Sequence, residues 1–260
     1  MTRRPLFCAR NATCSATVAS GKALKRMPVS SAVLALPAAA GIYAWGACHP
    51  ASQLFGRTRR RVRGDRTLAL TFDDGPNPAT TPALLDLLDR YDARATFFLI
   101  GRYVRACPDL AAEIARRGHL LGNHTDTHPN LLWLSPAQIV DEFERCALSI
   151  LQATGRRPTL MRPPYGYRGP QVNAAARRAG LNPPVMWSKT GRDWTDQSVD
   201  QLIRRLENVR SGDIVLLHDG CHRALGAKRG QTVQALEHWL PRWKTQGLNL
   251  VSVERSSLTS

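Results

Sequence analysis

The chain has 260 residues, of which 43% are apolar, which excludes a peptide or a small disulfide-stabilised domain and fits one catalytic-sized domain. The net charge of +16 is concentrated at one end, because residues 1–66 hold 12 of the 36 Lys and Arg residues but a single acid, Asp65. A nucleic-acid-binding module carries its cations on the folded domain. Because most of the excess positive charge here lies before residue 67, we expect no nucleic-acid partner.

The N-terminal region has the pattern of a targeting segment. A basic arm at 1–28 precedes residues 29–48, which read VSSAVLALPAAAGIYAWGAC and contain no charge. About twenty uncharged residues can span a bilayer, and the small residues that end the run also suit a cleaved signal peptide. We therefore expect a membrane anchor or a signal segment at 29–48, followed by an arginine-rich linker at 49–66. Either interpretation predicts that the domain that follows is exported, whether membrane-anchored or secreted.

From residue 67 to residue 255 the sequence predicts one domain in which strands and helices alternate. Strand-like runs lie at 67–72, 95–100, 119–123, 158–162, 184–188, 213–218 and 248–253. Amphipathic, helix-like stretches lie at 79–91, 108–117, 135–154, 170–179, 198–209 and 230–246. This alternation predicts parallel strands with outer helices, arranged as a barrel or as an open sheet. In both architectures the chemistry collects at the C-terminal ends of the strands.

Polar residues follow five of these runs, where such chemistry is expected. The groups are Asp73-Asp74, His124 with His128, Arg162 to Tyr165, Asp193-Trp194, and His218-Asp219. Two adjacent carboxylates are costly to keep ionised together unless a cation lies between them, although a solvated turn also explains an isolated Asp-Asp-Gly-Pro. One aspartate and two histidines would form the His, His, carboxylate set of a catalytic zinc. The six cysteines have no paired metal or redox spacing, and Cys221 lies close to this group.

Taken in order, the motifs T-F-D-D-G-P, H-T-x-x-H, R-P-P-Y-G, D-W and L-L-H resemble those of the polysaccharide deacetylase family. This family is also called the NodB homology domain or carbohydrate esterase family 4. The resemblance covers about residues 66–255. It implies a distorted (β/α) barrel with about seven parallel strands, preceded here by the N-terminal hydrophobic segment. It also implies metal-dependent hydrolysis of N-acetyl or O-acetyl groups on polysaccharides.

The resemblance implies a role for each motif residue. Asp73 resembles the general base, and the metal ligands would be Asp74, His124 and His128, holding a divalent metal for which zinc is our expectation. Arg162 would orient the base, and the backbone N–H of Tyr165 would stabilise the oxyanion. His218 resembles the general acid, with Asp193 keeping its imidazole charged. Trp194 and Leu216, together with Tyr165, would line the acetyl pocket.

The predicted activity is therefore removal of N-acetyl or O-acetyl groups from an amino-sugar-containing cell-envelope polysaccharide. Two alternatives remain: a deacylase of a lipid-linked sugar or non-sugar amide on the same scaffold, and a glycan-binding pseudoenzyme. One position departs from the family pattern, since a further aspartate often found before the D-W motif is Thr190 here. His119, His222 and His238 have no motif support, and we expect them to be surface or packing residues.

Overall fold

The computed structural model describes residues 30–181 and 183–253, with side chains from residue 36 onward. The predicted basic arm at 1–28 and the predicted domain end at 255 lie outside the described residues. The helices are α1 (Ser30–Cys48), α2 (Thr81–Arg90), α3 (Gly101–Ala106), α4 (Pro108–Arg116), α5 (Pro136–Thr154), α6 (Pro170–Arg178), α7 (Val199–Leu206) and α8 (Gly230–Thr245). The strands are β1 (Thr67–Gly75), β2 (Ala95–Leu99), β3 (Leu120–Asn123), β4 (Lys189–Thr190), β5 (Ile214–His218) and β6 (Asn249–Leu250).

The sheet is parallel, which confirms the predicted α/β class. Its strands lie in the order β3-β2-β1-β5-β4, and β6 pairs with β1 outside this path. Helices α2 and α4 to α8 match the six predicted stretches to within a few residues at each end, while α3 was not predicted. The central strand β1 therefore lies between β2 and β5, and the ends of these strands bring the predicted motifs together.

Two predicted strands are short connections that close the barrel. Run 158–162 joins β3 through hydrogen bonds from Asn123 N to Leu160 O (2.8 Å) and from Arg162 N to Asn123 O (3.0 Å). Run 184–188 continues the ring, because Val185 N donates to Met161 O (2.8 Å) and Ser188 N donates to Ile214 O of β5 (3.0 Å). Both runs begin at a proline, which lacks a ladder donor, and five of the seven predicted strands form among the described residues. The sixth strand, β4, begins directly after the second of these runs.

The alternation of side chains along β1 positions the first functional residue. Leu68, Leu70 and Phe72 pack into the main core between the sheet and the outer helices, whereas Ala69 packs inside the barrel. Side chains of a strand alternate between its two faces, so Thr71 and Asp73 continue the inward-facing series. The same register that buries the leucines therefore places the Asp73 carboxylate at the barrel mouth.

The prediction for residues 29–48 is a membrane anchor or a signal segment. Among the described helices, the structure has none that combines the length and the apolar character needed to cross a bilayer. The end of α1 is packed on the domain instead: Ala47 is buried and its carbonyl accepts from Arg168 N (3.0 Å). The buried Arg168 guanidinium also donates to His49 O (3.0 Å) and Ser52 O (2.6 Å). The contacts of Ala47 and Arg168 therefore hold the end of this segment against the domain.

The predicted linker at 49–66 is also in contact with the barrel. Arg59 N donates to Pro184 O (2.8 Å), and Arg59 O accepts from Met186 N (2.6 Å). Val62 N donates to Gly212 O (3.0 Å) just before β5. This segment therefore forms an edge of the domain and supports the run that follows Pro184.

Candidate active site

The predicted residues surround one cavity of about 470 Å³ at the C-terminal ends of the strands. Its lining includes eight of the predicted site residues: Asp73, Asp74, His124, His128, Tyr165, Trp194, Leu216 and His218. The other two, Arg162 and Asp193, are fully buried and contact the lining from behind. Parallel strand ends meet at one edge, so five motifs distant in sequence converge here.

The Asp74 carboxylate lies between the two predicted histidine ligands. Its Oδ1 is 3.6 Å from His124 Nε2 and 3.3 Å from His128 Nε2. All three residues are buried, and Asp74 Oδ1 has no hydrogen-bond partner among the described residues. A buried carboxylate oxygen without a partner is strongly destabilising. A divalent cation held by these three atoms would satisfy it, so the residues present fit the metal that the motifs imply.

Each histidine is oriented by a local contact. His124 Nδ1 donates to the carbonyl of Arg162 (2.7 Å), which leaves Nε2 as the acceptor nitrogen that faces Asp74. The loop that carries His128 is held by Glu142 of α5, whose carboxylate accepts from the backbone amides of Asp126 and Thr127 (2.9 Å each). Helix α5 therefore lies behind the loop, and its Glu142 side chain fixes the turn that ends at His128.

The charge states of this group also fit a metal. Burial lowers the pKa of His128 to about 3, so its imidazole is neutral at physiological pH and can act as a ligand. Burial alone would raise the pKa of Asp74, but His222 and the imidazoles of His218, His124 and His128 hold it below its usual range. A carboxylate together with imidazole nitrogens is a donor set suited to a catalytic divalent metal.

Asp73 forms a buried ion pair that leaves one oxygen free. Arg162 Nη1 donates to Asp73 Oδ1 (2.7 Å) and to Thr71 Oγ1 (2.8 Å), and its Nε donates to Val185 O (3.1 Å). The guanidinium lies over the Phe98 ring, 4.4 Å from the centroid. Asp73 Oδ2 instead points into the cavity, 3.8 Å from His124 Nε2. An oriented, charge-paired carboxylate with one open oxygen has the geometry of a general base.

His218 and Asp193 form the second ion pair of the cavity. His218 is the register partner of Asp73 on the adjacent strand β5. Its Nδ1 lies 2.8 Å from Asp193 Oδ1, while Asp193 Oδ2 accepts from His218 N (2.7 Å) and Thr232 Oγ1 (2.8 Å). Burial alone would lower the pKa of His218, but the Asp193 carboxylate raises it to about 9. The imidazole is therefore protonated at neutral pH, as a general acid requires.

The predicted pocket residues form the walls of the cavity. Tyr165 lies in a short 3₁₀ turn with φ +60°, an uncommon conformation for a tyrosine, and its ring contacts the edge of His128 (4.7 Å between centroids). Trp194 is 45% exposed and contacts the His218 ring, whereas Leu216 is buried on β5. Thr190, at the family's extra aspartate position, lies in β4.

The structure brings a residue to this group that the sequence analysis missed. His222, expected to be a surface or packing residue, lines the cavity, and its backbone N donates to Asp74 Oδ2 (3.1 Å). Its ring stacks on His128 with 4.2 Å between centroids and a 12° interplanar angle. His222 lies only four residues beyond His218, in the loop that follows β5. Extending the strand-end criterion through the whole loop would have identified it.

Comparison with known proteins gives consistent matches to one family. Residues 60–184 match the family model for polysaccharide deacetylases. The chain is 41% identical over 199 residues to a chitooligosaccharide deacetylase from a Bradyrhizobium strain, in an alignment covering 73% of this chain and 90% of that protein. It is 40% identical over 195 residues to a peptidoglycan-N-acetylglucosamine deacetylase from Bacillus cereus, covering 73% and 87% of the two chains.

Solved structures share the fold as well. One is the crystal structure of a pseudoenzyme of carbohydrate esterase family 4 from Bacillus anthracis, with a TM-score of 0.67 and 28% identity. That similarity covers 75% of this chain and 66% of the other. A protein described as a pseudoenzyme thus shares this fold, so the fold alone does not establish activity.

Proposed function

This chain belongs to the polysaccharide deacetylase family, and on that premise we propose that it removes N-acetyl groups from an amino-sugar polysaccharide by metal-dependent hydrolysis. The observation that carries the proposal is the orphaned Asp74 Oδ1 between His124 Nε2 and His128 Nε2. It lies in the same cavity as two separate ion pairs, Asp73–Arg162 and His218–Asp193. A ligand set, a base and an acid are thus available around one substrate.

Asp74, His124 and His128 are the proposed metal ligands. Two imidazoles and one carboxylate form the donor set of catalytic zinc sites, so we propose zinc as the metal. When bound, the metal supplies Lewis-acid polarisation to the acetyl carbonyl. The ionised Asp74 and the neutral His128 need no proton rearrangement to bind it.

The remaining groups divide the proton transfers between them. Asp73 Oδ2 accepts the proton of the attacking water, while Arg162 holds the other carboxylate oxygen in place. The C–O bond to the acetyl carbon forms, and the backbone N–H of Tyr165 donates to the developing oxyanion. As the C–N bond breaks, protonated His218 donates its Nε2 proton to the leaving amine. Acetate and a free amino sugar are the products.

Two features of the cavity favour an N-acetylated sugar over the alternatives. An amide nitrogen leaves only when it is protonated, and Asp193 keeps His218 protonated well above neutral pH. The exposed rings of Trp194 and Tyr165 lie at the rim, where aromatic faces can stack on a sugar ring. A non-sugar amide would have no sugar ring for these side chains to stack on. A lipid-linked N-acetylated sugar would be hydrolysed by the same chemistry and is the remaining alternative.

The site also argues against the pseudoenzyme alternative. The base, ligand and acid positions carry functional side chains, and each makes the contact that its role requires. The relatives named as deacetylases act on chitooligosaccharides or peptidoglycan, according to their names. We propose that this chain acts on a comparable glycan of the cell envelope, with the charge-free run at 29–48 directing export.

The proposal is tested by measuring acetate release from a panel of compounds with the full chain loaded with zinc. The panel contains N-acetylglucosamine oligosaccharides, peptidoglycan fragments, O-acetylated xylan and an N-acetylated amino-acid amide. We expect acetate from the first two, with a mass loss of one acetyl group per site. Release from the amino-acid amide alone would favour the non-sugar alternative, and glycan binding without acetate release would favour the pseudoenzyme.

A further inference from the structure

His222 is fixed beside Asp74 by its backbone as well as by its ring. Its N–H donates to Asp74 Oδ2 (3.1 Å), and its carbonyl accepts from Tyr103 Oη (3.0 Å) and from the Arg102 guanidinium. The loop reaches this place because residue 220 is glycine: a Cβ there would lie 2.0 Å from the Asp74 carbonyl oxygen. Only glycine allows so close a backbone approach, so the position of His222 is built into the loop.

The ring of His222 faces the oxygen of Asp74 that the predicted ligands do not use. Its Nδ1 lies 3.6 Å from Asp74 Oδ2, and its Nε2 lies 3.5 Å from Tyr165 Oη. The ring is stacked on His128, and its side chain is 25% exposed. An imidazole held this way has a nitrogen directed at the ligand cluster without being part of the packed core.

Two overlapping groups of metal-ligating atoms result. Asp74, His128 and His222 each offer one ligand atom, and these atoms all lie within 4.8 Å of one another. The group predicted from the motifs shares Asp74 and His128 but has His124 as its third member. Asp74 and His128 therefore stand at the centre, with one further histidine available on each side.

We propose that His222 is a fourth protein ligand, so that the metal is held by Asp74, His124, His128 and His222. The inference rests on the proposed function only in taking this cavity to be a metal site. Catalytic zinc can accept five ligands, so four protein ligands leave a position open. The consequence is redundancy: either outer histidine, His124 or His222, can be lost without abolishing metal binding.

The test measures metal affinity in the full chain, independently of activity. Metal-free wild type, His222→Ala, His124→Ala and the double variant are titrated with Zn²⁺ and Co²⁺ in competition with a chromophoric chelator. His222→Ala retains the backbone N–H to Asp74, so it removes only the ring. His238→Ala removes a histidine outside the cluster and is the matched control. Thermal unfolding of the metal-free proteins by circular dichroism checks the fold, and His222→Phe replaces the alanine variant if that variant does not fold.

We expect each single variant to bind one metal ion with a Kd raised about tenfold or more, the double variant to bind none, and the control to match wild type. The visible Co²⁺ spectrum of His222→Ala should also differ from wild type, because one nitrogen ligand is missing. The proposal is overturned if His222→Ala keeps both the Kd and the Co²⁺ spectrum of wild type. It is equally overturned if His124→Ala alone abolishes binding. Zinc-loaded wild type that releases no acetate would refute the proposed function, while the affinities would still decide the role of His222.

Discussion

Replacing Asp193 with asparagine should slow deacetylation at alkaline pH and leave it nearly unchanged in mild acid. The proposed general acid, His218, would act in its protonated form, so the activity of the enzyme should be lost as the pH rises through the pKa of His218. With Asp193 present this pKa is raised to about 9, and Asp193 contributes more to the rise than Asp73 or Asp74. The asparagine amide would retain the shape of the side chain without the charge that holds the imidazolium.

The size of the effect follows from the fraction of protonated His218. With a pKa of about 9, roughly 90% of the imidazole is protonated at about pH 8. If the pKa returns to its ordinary value near 6.5, the fraction falls to about 3%, a loss of roughly 30-fold. At about pH 6 both proteins are mostly protonated and their rates should differ by less than about twofold. In the variant, burial lowers the imidazole pKa while Asp74 and Asp73 still raise it, so the ordinary value is taken as the reference.

The assay is the initial rate of acetate release at saturating oligosaccharide between about pH 6 and pH 9, with metal content measured in parallel. Thr232→Val is a matched control, because Thr232 Oγ1 donates to the same Asp193 carboxylate but carries no charge. This control should keep the alkaline limb of wild type. A defect of Asp193→Asn that is equal at all pH values, or an alkaline limb that does not move, would refute the reasoning.

Three further predictions test the base, the loop and the N-terminal contacts. Asp73→Asn should retain metal but lose about 10²–10⁴-fold in kcat, and metal loss measured by mass spectrometry would contradict separate roles for the two aspartates. Gly220→Ala should weaken metal binding in a chelator titration, because its Cβ would displace the Asp74 carbonyl; a wild-type Kd would show that the close approach is unimportant. Deletion of residues 1–56 removes two backbone carbonyls that accept hydrogen bonds from the Arg168 guanidinium. Each lost hydrogen bond to this charged group should lower the free energy of unfolding by about 1.5–3 kcal/mol. The Tm measured by calorimetry should therefore fall by roughly 10 °C, and an unchanged Tm would contradict this structural role.

The expectation that chemistry collects at the C-terminal ends of parallel strands predicted where much of the candidate site lies, because that expectation depends on topology. Asp73 and His218 lie on adjacent parallel strands and are register partners, so the end of each strand has to meet the other. The buried pair between Arg162 and Asp73 could not be read from periodicity, since Arg162 lies in a run with a single bridge to β3. Its role came from the family resemblance alone.

Loops and close approaches set the limit of what the sequence reveals. The loop after β5 could nominate His222 as a candidate, but its contact with Asp74 depends on the absence of a side chain at Gly220. The contact between the end of α1 and Arg168 is a tertiary interaction, which the uncharged pattern at 29–48 does not express.

The central claim is that one metal site, centred on Asp74 and His128, is required for deacetylation. The most direct measurement is metal content together with acetate release from N-acetylglucosamine oligosaccharides, for wild type, Asp74→Ala and His128→Ala. We expect wild type to bind one divalent ion per chain and release acetate, to lose activity on chelation and to regain it with zinc. Both variants should lack metal and turnover together. Acetate release by metal-free wild type, or by either variant, would contradict the account.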